Sequence, residues 1–485
     1  MTDTAPAAPP HSSPPAGPVP AGRIPLPSAT GEDAHPPGSP GTWSGLRPLL
    51  LRLHFYAGIL MGPILLTAAV TGLLYTATPQ IESVVYGHEL KVSAQGAREP
   101  LAAQVEAARL AVPGGHLVSV TRGAGATDST RVTFDVKGLP EGDTRTAFVN
   151  PYNGQVLGTL RTTGEWLPVR AWFDSLHRTL HLGDLGRNYS ELAASWLWVE
   201  VAGGLALWIG APRTRQRLRK LFVAHRGPTG RGRTLSWHGV VGLWVSVGFL
   251  ALSATGLTWS AHAGANIGKI QDSLGGSTPA VSTMTGHHEG SGSRSGSGTT
   301  GKDVGIDAVA RTADEAGLRG KLVLTPPTDG KSAYVVKENT RHWPERQDSI
   351  AVDPATGKVT ETLRFDDYPL LAKLTRWGVD AHMGLLFGLA NQIVLALIAI
   401  ALIGMVLWGY RMWWLRRPVR ATGLRPGRTP ARGTWRRVPG RVMAPLVVVV
   451  AVLAYYLPLF GLPLVCFLLG DLVVAAVRRR KETAR

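Results

Sequence analysis

Leu53-His54-Phe55-Tyr56-Ala57-Gly58 opens an apolar run that continues to residue 77, and the arrangement returns at Trp237-His238-Gly239-Val240-Val241-Gly242. In each copy a histidine leads the run and a glycine follows four residues later. A Thr-Gly pair follows at seventeen, Thr71-Gly72 and Thr255-Gly256. A spanning helix needs about 20 apolar residues, and the runs 55–77, 189–211, 237–260 and 383–410 all reach that length. The chain therefore reads as a polytopic α-helical membrane protein. An imidazole at the mouth of a membrane helix is a costly placement that usually marks function. Two at matched depth suggest one shared ligand.

The formal net charge of +18 over 485 residues could signal nucleic acid, so its location decides its meaning. Residues 213–233 carry Arg213, Arg215, Arg217, Arg219, Lys220, Arg226, Arg231 and Arg233, and residues 411–441 carry ten Arg and no acid. Both clusters border spans, where the positive-inside rule places basic residues in the cytoplasm. The charge is topological, with a secondary attraction to anionic lipid; no nucleic-acid partner is expected. The single cysteine, Cys466, lies in an apolar segment and excludes intramolecular disulfides and Cys-based iron–sulfur or zinc sites.

A Pro-rich, disordered cytoplasmic tail (1–43), with twelve prolines in its first forty residues, is expected to precede the first span (44–78). It lacks the basic start, apolar run and cleavage site of a signal peptide, so the first span must target the protein. Then come a first outer unit (79–175), a second span (176–212) and a basic cytoplasmic loop (213–234). A third span (235–262) leads to a second outer unit (263–376), which carries a Gly/Ser-rich linker at 286–301. A fourth span (377–415), a second basic loop (416–441), a segment at 442–477 and a basic tail (478–485) complete the chain. Pro458 and Pro463 break the 442–477 run, which reads as a helical hairpin. The amino terminus is placed inside, and both long segments outside.

Each outer unit reads as one helix followed by four short strands. The helix is Leu101–Val112 in the first and Val304–Ala316 in the second. Strand-like runs follow at 117–122, 130–137, 146–150 and 155–160, and again near 321–325, 333–338, 349–352 and 358–365. Matching turns, Val149-Asn150-Pro151-Tyr152-Asn153-Gly154 and Val352-Asp353-Pro354-Ala355-Thr356-Gly357, punctuate both units. His181-Leu182-Gly183 precedes one returning span and His382-Met383-Gly384 the other, and Trp208 and Trp408 close them. The chain is thus a tandem repeat of span, outer α/β unit and span, whose four spans form a bundle.

On this topology His54 and His238 lie at the cytoplasmic end of the spans, and His181 and His382 at the outer end. His177 sits one helical turn before His181 and is the alternative outer residue, although its repeat counterpart falls near Gly378. Paired imidazoles on neighbouring helices are what a six-coordinate b-type haem requires. Gly58 and Gly242 lie one turn deeper on the faces of His54 and His238, where a missing side chain leaves room for a porphyrin or for close helix packing. Seventeen residues of helix span about 26 Å, close to the roughly 30 Å hydrocarbon core. Two haem b groups, stacked near opposite faces, are therefore expected, with His54, His238, His181 and His382 on their irons. A single interfacial histidine is more often a hydrogen-bonded or snorkelling side chain; four in two matched pairs favour ligation, with another transition metal as the residual option. Arg170, Arg178 and Arg376, just outside the outer histidines, either face haem propionates or an anionic ligand or are solvated charge.

These motifs resemble the PepSY-associated transmembrane proteins, namely Leu53–Gly58, Leu176-His177-Arg178-Thr179-Leu180-His181-Leu182-Gly183, Trp237-His238-Gly239 with Thr255-Gly256, and Ala381-His382-Met383-Gly384 with Trp413-Trp414. The resemblance covers roughly residues 44–418. It implies two PepSY-like outer units in a bacterial plasma-membrane protein, and similarity to dihaem ferric-siderophore reductases. It implies ligands among His54, His177, His181, His238 and His382, and electron transfer outward to a ferric siderophore or similar acceptor. The donor would be a quinol or a cytoplasmic reductase. The sequence carries no dinucleotide fingerprint, P-loop or HExxH motif. The competing reading is a non-enzymatic sensor, peptide- or protease-binding protein or assembly factor. A transporter is disfavoured by the apolar middles of the first and third spans.

Overall fold

A computed structural model describes residues 42–211, 219–224, 229–282, 303–329, 332–416, 430, 433 and 438–483. The tail before residue 42, the linker at 286–301 with His287 and His288, and much of both basic loops lie outside the described residues.

Four long helices form the bundle, α1 (Thr42–Tyr75), α6 (Gly183–Ile209), α8 (Arg231–Thr258) and α12 (Gly388–Trp414). Each is long and apolar enough to cross a membrane, as is the end of the chain at Pro458–Val477. Helix α1 packs on α6 and α12, and α8 closes the ring by packing on the same two. Between Leu53 and Tyr75 the first helix carries no Asp, Glu, Lys or Arg, so nothing in it resists an apolar surround. Pro63 lies inside α1 and, having no N–H, cannot bond the Ile59 carbonyl one turn earlier. Tyr410 of α12 donates its hydroxyl to that oxygen at 2.8 Å. Gly62 makes the approach possible, since a Cβ there would lie 2.9 Å from Tyr410 Oη.

The segment expected as a hairpin forms two helices, α13 (Gly440–Tyr456) and α14 (Pro458–Thr483). The first is a shorter apolar helix than the five long ones. Phe460 sits 5.5 Å from both Trp196 and Trp198 of α6, Trp196 Nε1 donates to the Leu459 carbonyl at 3.1 Å, and Arg52 pairs with Asp471.

On one side of the bundle the two α/β units merge into one sheet. Strands β1 (His116–Arg122), β2 (Thr130–Asp135), β3 (Asp143–Val149) and β4 (Val156–Thr163) belong to the first unit. Strands β5 (Leu322–Thr325), β6 (Tyr334–Glu338), β7 (Ser349–Val352) and β8 (Val359–Leu363) belong to the second. The order is β4-β3-β2-β1-β5-β6-β7-β8, antiparallel throughout. The seam pairs Val120 with Leu324, Thr121 with Val323 and Arg122 with Leu322. Two separate units were expected; instead each unit covers the other's exposed β1 or β5 edge, an edge that would otherwise leave backbone groups unpaired.

Helices α4 (Leu101–Ala111) and α10 (Ile306–Glu315) cover one face of this sheet. Their inward side chains join one continuous core, from Val105 and Ala108 through Val120, Val132 and Leu324 to Val309 and Ile350. The helices are also tied across the units. Asp307 of α10 accepts from the Leu101 and Ala102 amides at 2.6 and 3.3 Å, supplying the N-terminal cap that Pro100 cannot.

Short helices connect sheet and bundle. Helices α2 (Thr78–Val85) and α9 (His262–Ser273) follow the outgoing spans, and α5 (Pro168–Thr179) and α11 (Leu370–His382) precede the returning ones. The regions expected as single spans at 176–212 and 377–415 are therefore each broken on the sheet side. Leu180 and His181 take left-handed backbone (φ 50° and 55°) between α5 and α6, and Gly384 and Gly388 (φ 73° and 56°) flank the break between α11 and α12. Arg341 braces the junction: its guanidinium reaches Asp380 at 2.9 Å and Glu165 at 2.5 Å and lies over Trp166 at 4.9 Å.

Candidate functional site

At the end of the bundle far from the sheet, His54 of α1 and His238 of α8 approach with ring centres 6.3 Å apart and planes at 69°. Two imidazoles bound to one metal ion at about 2.0–2.1 Å each would stand with their centres on the order of 6 Å apart. The spacing fits a shared metal centre. Nδ1 of His238 is buried, with no hydrogen-bond partner of good geometry among the described residues. Nδ1 of His54 lies 2.7 Å from Oε2 of Glu200 on α6, although the approach is off the line of a good hydrogen bond. Gly203 and Gly204 of α6 flank the His54 ring, and a Cβ on Gly204 would lie 3.2 Å from its Cε1.

A Cβ on Gly242 would meet the end of the Met405 side chain at 2.8 Å, whereas one on Gly58 would stand at ordinary contact distance, 3.7 Å, from Glu200.

On the sheet side, two matched arrangements occur. His177, near the end of α5, places Nδ1 3.0 Å from Thr71 Oγ1; His382, the last residue of α11, places Nδ1 2.6 Å from Thr255 Oγ1. Each threonine hydroxyl also bonds its own helix, Thr71 to the Thr67 carbonyl at 2.9 Å and Thr255 to that of Ala251 at 2.7 Å. A hydroxyl has one proton to donate. With that proton on the helix carbonyl, the imidazole Nδ1–H must be the donor to Oγ1. Both rings then carry their lone pair on Nε2, the form in which imidazole binds a metal.

The expectation aligned His181 with His382. The structure brings His177 to the Thr71 position, because α5 ends at Thr179 and the left-handed step at Leu180 and His181 turns the next residues away. His181 instead lies against Trp172, ring centres 4.9 Å apart.

His177 and His382 line one cavity of about 190 Å³ inside the sheet-side half of the bundle. Its walls are thinned by small residues, among them Ala68, Ala69, Gly72, Ala194 and Gly256. A Cβ on Gly72 would lie 3.1 Å from the His177 ring. Polar groups on the lining include Tyr75, Asp174, Arg178, Arg187 and Glu191. The Tyr75 hydroxyl is buried without a hydrogen bond. Glu191 is satisfied, accepting from the amides of His262 and Ala263 at 2.9 Å each. Of the arginines singled out by sequence, Arg178 is on the lining and 3.1 Å from Asp174. Arg170 and Arg376 are engaged elsewhere: Arg170 is buried over Trp166 and Tyr75, and Arg376 bonds Glu345 at 2.7 Å. The cavity, the thin walls and the lone-pair nitrogens suit a flat macrocycle with a metal at its centre.

Glu200, Gly203-Gly204 and the two threonines carry roles that sequence reasoning did not assign. Glu200 was visible as a carboxylate well inside the second apolar run, a position that by itself marks function. The threonines were visible as a repeated Thr-Gly pair, but their partners arrive on helices whose register depends on a backbone break.

No curated protein matches the chain in sequence. All four paired histidines and the whole sheet fall within residues 51–416, the stretch matched by the family model described as PepSY-associated TM region, and the chain belongs to that family.

Proposed function

We propose that the protein is a haem-b membrane electron-transfer protein of the ferric-reductase type. It holds two haems, one by His54 and His238 and one by His177 and His382. The observation that carries the reading is the placement of four imidazoles as two pairs at opposite ends of one apolar bundle, the sheet-side pair opening on a cavity. Haem held between imidazoles supplies a one-electron couple. The chain supplies the rest. Thr71 and Thr255 hold the sheet-side rings with Nε2 available, glycines and alanines keep the walls thin, and the apolar spans keep water out. Arg178 and Arg187 offer positive charge to carboxylates of the cofactor or to an anionic acceptor.

By the positive-inside rule the His54 end, next to both basic loops, is cytoplasmic and the sheet is outside the plasma membrane of a bacterial cell. Each ferric ion reduced outside, in a siderophore or similar complex, takes one electron; a quinol or a cytoplasmic reductase on the His54 side replaces it. The test is a reduced-minus-oxidised spectrum of purified protein after expression with ample haem. A b-type spectrum with two haems per chain is expected, with one lost in His54→Ala or His238→Ala and the other lost in His177→Ala or His382→Ala. A haem-free protein overturns the reading and favours a sensor or assembly role for the sheet.

A further inference from the structure

The four imidazoles differ in what stands behind them. Behind His177 and His382 stand neutral hydroxyls. Behind His54 stands a carboxylate. Glu200 sits well inside a membrane-spanning helix, where an ionised side chain is costly unless it is paired. Among the described residues, its Oε2 pairs with His54 and the other oxygen, Oε1, is buried with no hydrogen-bond partner. Counting back from Trp208 and Trp408, the second repeat has Ile400 at this position, more than half exposed on the bundle's outer surface. Among the described residues, a carboxylate facing an imidazole Nδ1 is therefore found at His54, whereas the sheet-side rings face hydroxyls.

We infer that Glu200 is a positioning residue for His54 and sets the redox potential of the His54/His238 centre below that of the His177/His382 centre. A carboxylate behind a ligating imidazole fixes its ring orientation and raises its basicity, and so favours the oxidised, more positive metal. A hydroxyl does this less. On the sheet-side lining Arg178 is paired with Asp174 at 3.1 Å and Glu191 is held by two backbone amides, so charges of both signs meet there, and a hydroxyl, not a carboxylate, faces Nδ1 of each ring. The difference makes the far-side centre the stronger reductant and the sheet-side centre the better acceptor, which gives transfer toward the sheet a preferred direction.

The inference rests on the haem reading, and the two fail separately. In a spectroscopic redox titration of the wild-type protein in detergent, two one-electron steps are expected. Glu200→Gln keeps the shape and removes the charge; it should move the lower midpoint potential upward and leave the higher one in place. Glu200→Asp keeps the charge and should leave both near wild type even where Glu200→Gln retains haem poorly. No haem in the wild type overturns the earlier reading. Two haem steps that Glu200→Gln leaves unmoved, or a Glu200→Asp shift as large as that of Glu200→Gln, overturns this one alone.

Discussion

Thr71 and Thr255 do the same work at equivalent positions, and each directs its hydroxyl proton into its own helix and its oxygen to a histidine. Replacing either by valine keeps the volume and removes the acceptor. On the haem reading, Thr71→Val or Thr255→Val should weaken retention at the sheet-side site by about 10–100-fold, the usual effect of losing a partner behind a metal-bound histidine. The haem-to-protein ratio after dilution measures it, and His181→Ala should leave the ratio unchanged. His54 and His238 were legible in the sequence because each opens its own apolar run and the helix continues unbroken from it. The choice between His177 and His181 was not. Matching Gly183 with Gly384 aligned His181 with His382, whereas the two helices end at different distances from those glycines. A break of two left-handed residues shifts the register by about one turn, and no residue type at Leu180 or His181 announces it, since leucine and histidine rarely take that conformation.

At the scale of single elements, α1 shows how a span tolerates its own proline. Pro63 leaves the Ile59 carbonyl without its helical donor, and Tyr410 from α12 fills the vacancy. Tyr410→Phe should lower stability by about 0.5–1.5 kcal/mol, the net worth of one hydrogen bond, read from the thermal midpoint in detergent. Gly62→Ala should cost more by pushing the ring aside. Strands were easier to place from sequence than the helices around them. All eight were anticipated, because alternation and Asn-Pro or Asp-Pro turns are local signals. Helices α2 and α9 were not, being short, amphipathic and adjacent to spans whose hydropathy masks them. Lys321, just before β5, stands 3.7 Å from Glu165. Burial, with Arg131 adding to it, pushes its ammonium down to about 8. The folded state then carries a penalty for charged Lys321 below pH 8, which fades as pH rises from 8 toward the unfolded value of 10.5. Lys321→Met should raise stability at pH 7 by about 1–3 kcal/mol, each pKa unit being worth about 1.4 kcal/mol. That gain should shrink at pH 10; a gain equal at both pH values would refute the assignment.

At the scale of the whole molecule, the sheet makes the two repeats one body on the side of the sheet. Leu324 is fully buried at the seam, opposite Val120. Leu324→Ala should cost about 2–5 kcal/mol and lower the stability of both units together, so that hydrogen exchange in β2 and β6 rises in parallel. Independent units would show the change in β6 alone. The polytopic class and the presence of an α/β part beside the spans could be read from the chain. The seam could not, because pairing between distant edges depends on which edges the bundle brings together, and alternation within a strand says nothing about its partner across 200 residues.

The seam also has a register that says what kind of joint it is. Thr130 pairs with Val149 and Tyr334 with Val352, at matching places before the two Asn-Pro and Asp-Pro turns. Following the ladder one strand further makes Val120 the equivalent of Leu324, and these two face each other directly. Like meets like across an antiparallel pair, so a two-fold axis passes through the joint, as in the isologous contact of a homodimer. A half-length chain carries everything needed to make that contact with its own copy. Joined in one polypeptide, the halves are released from sequence identity, and one can acquire a carboxylate such as Glu200 while the other keeps Ile400. A homodimer must place every charge twice; this fused form can place it once, and so give the molecule a direction that a symmetric pair lacks.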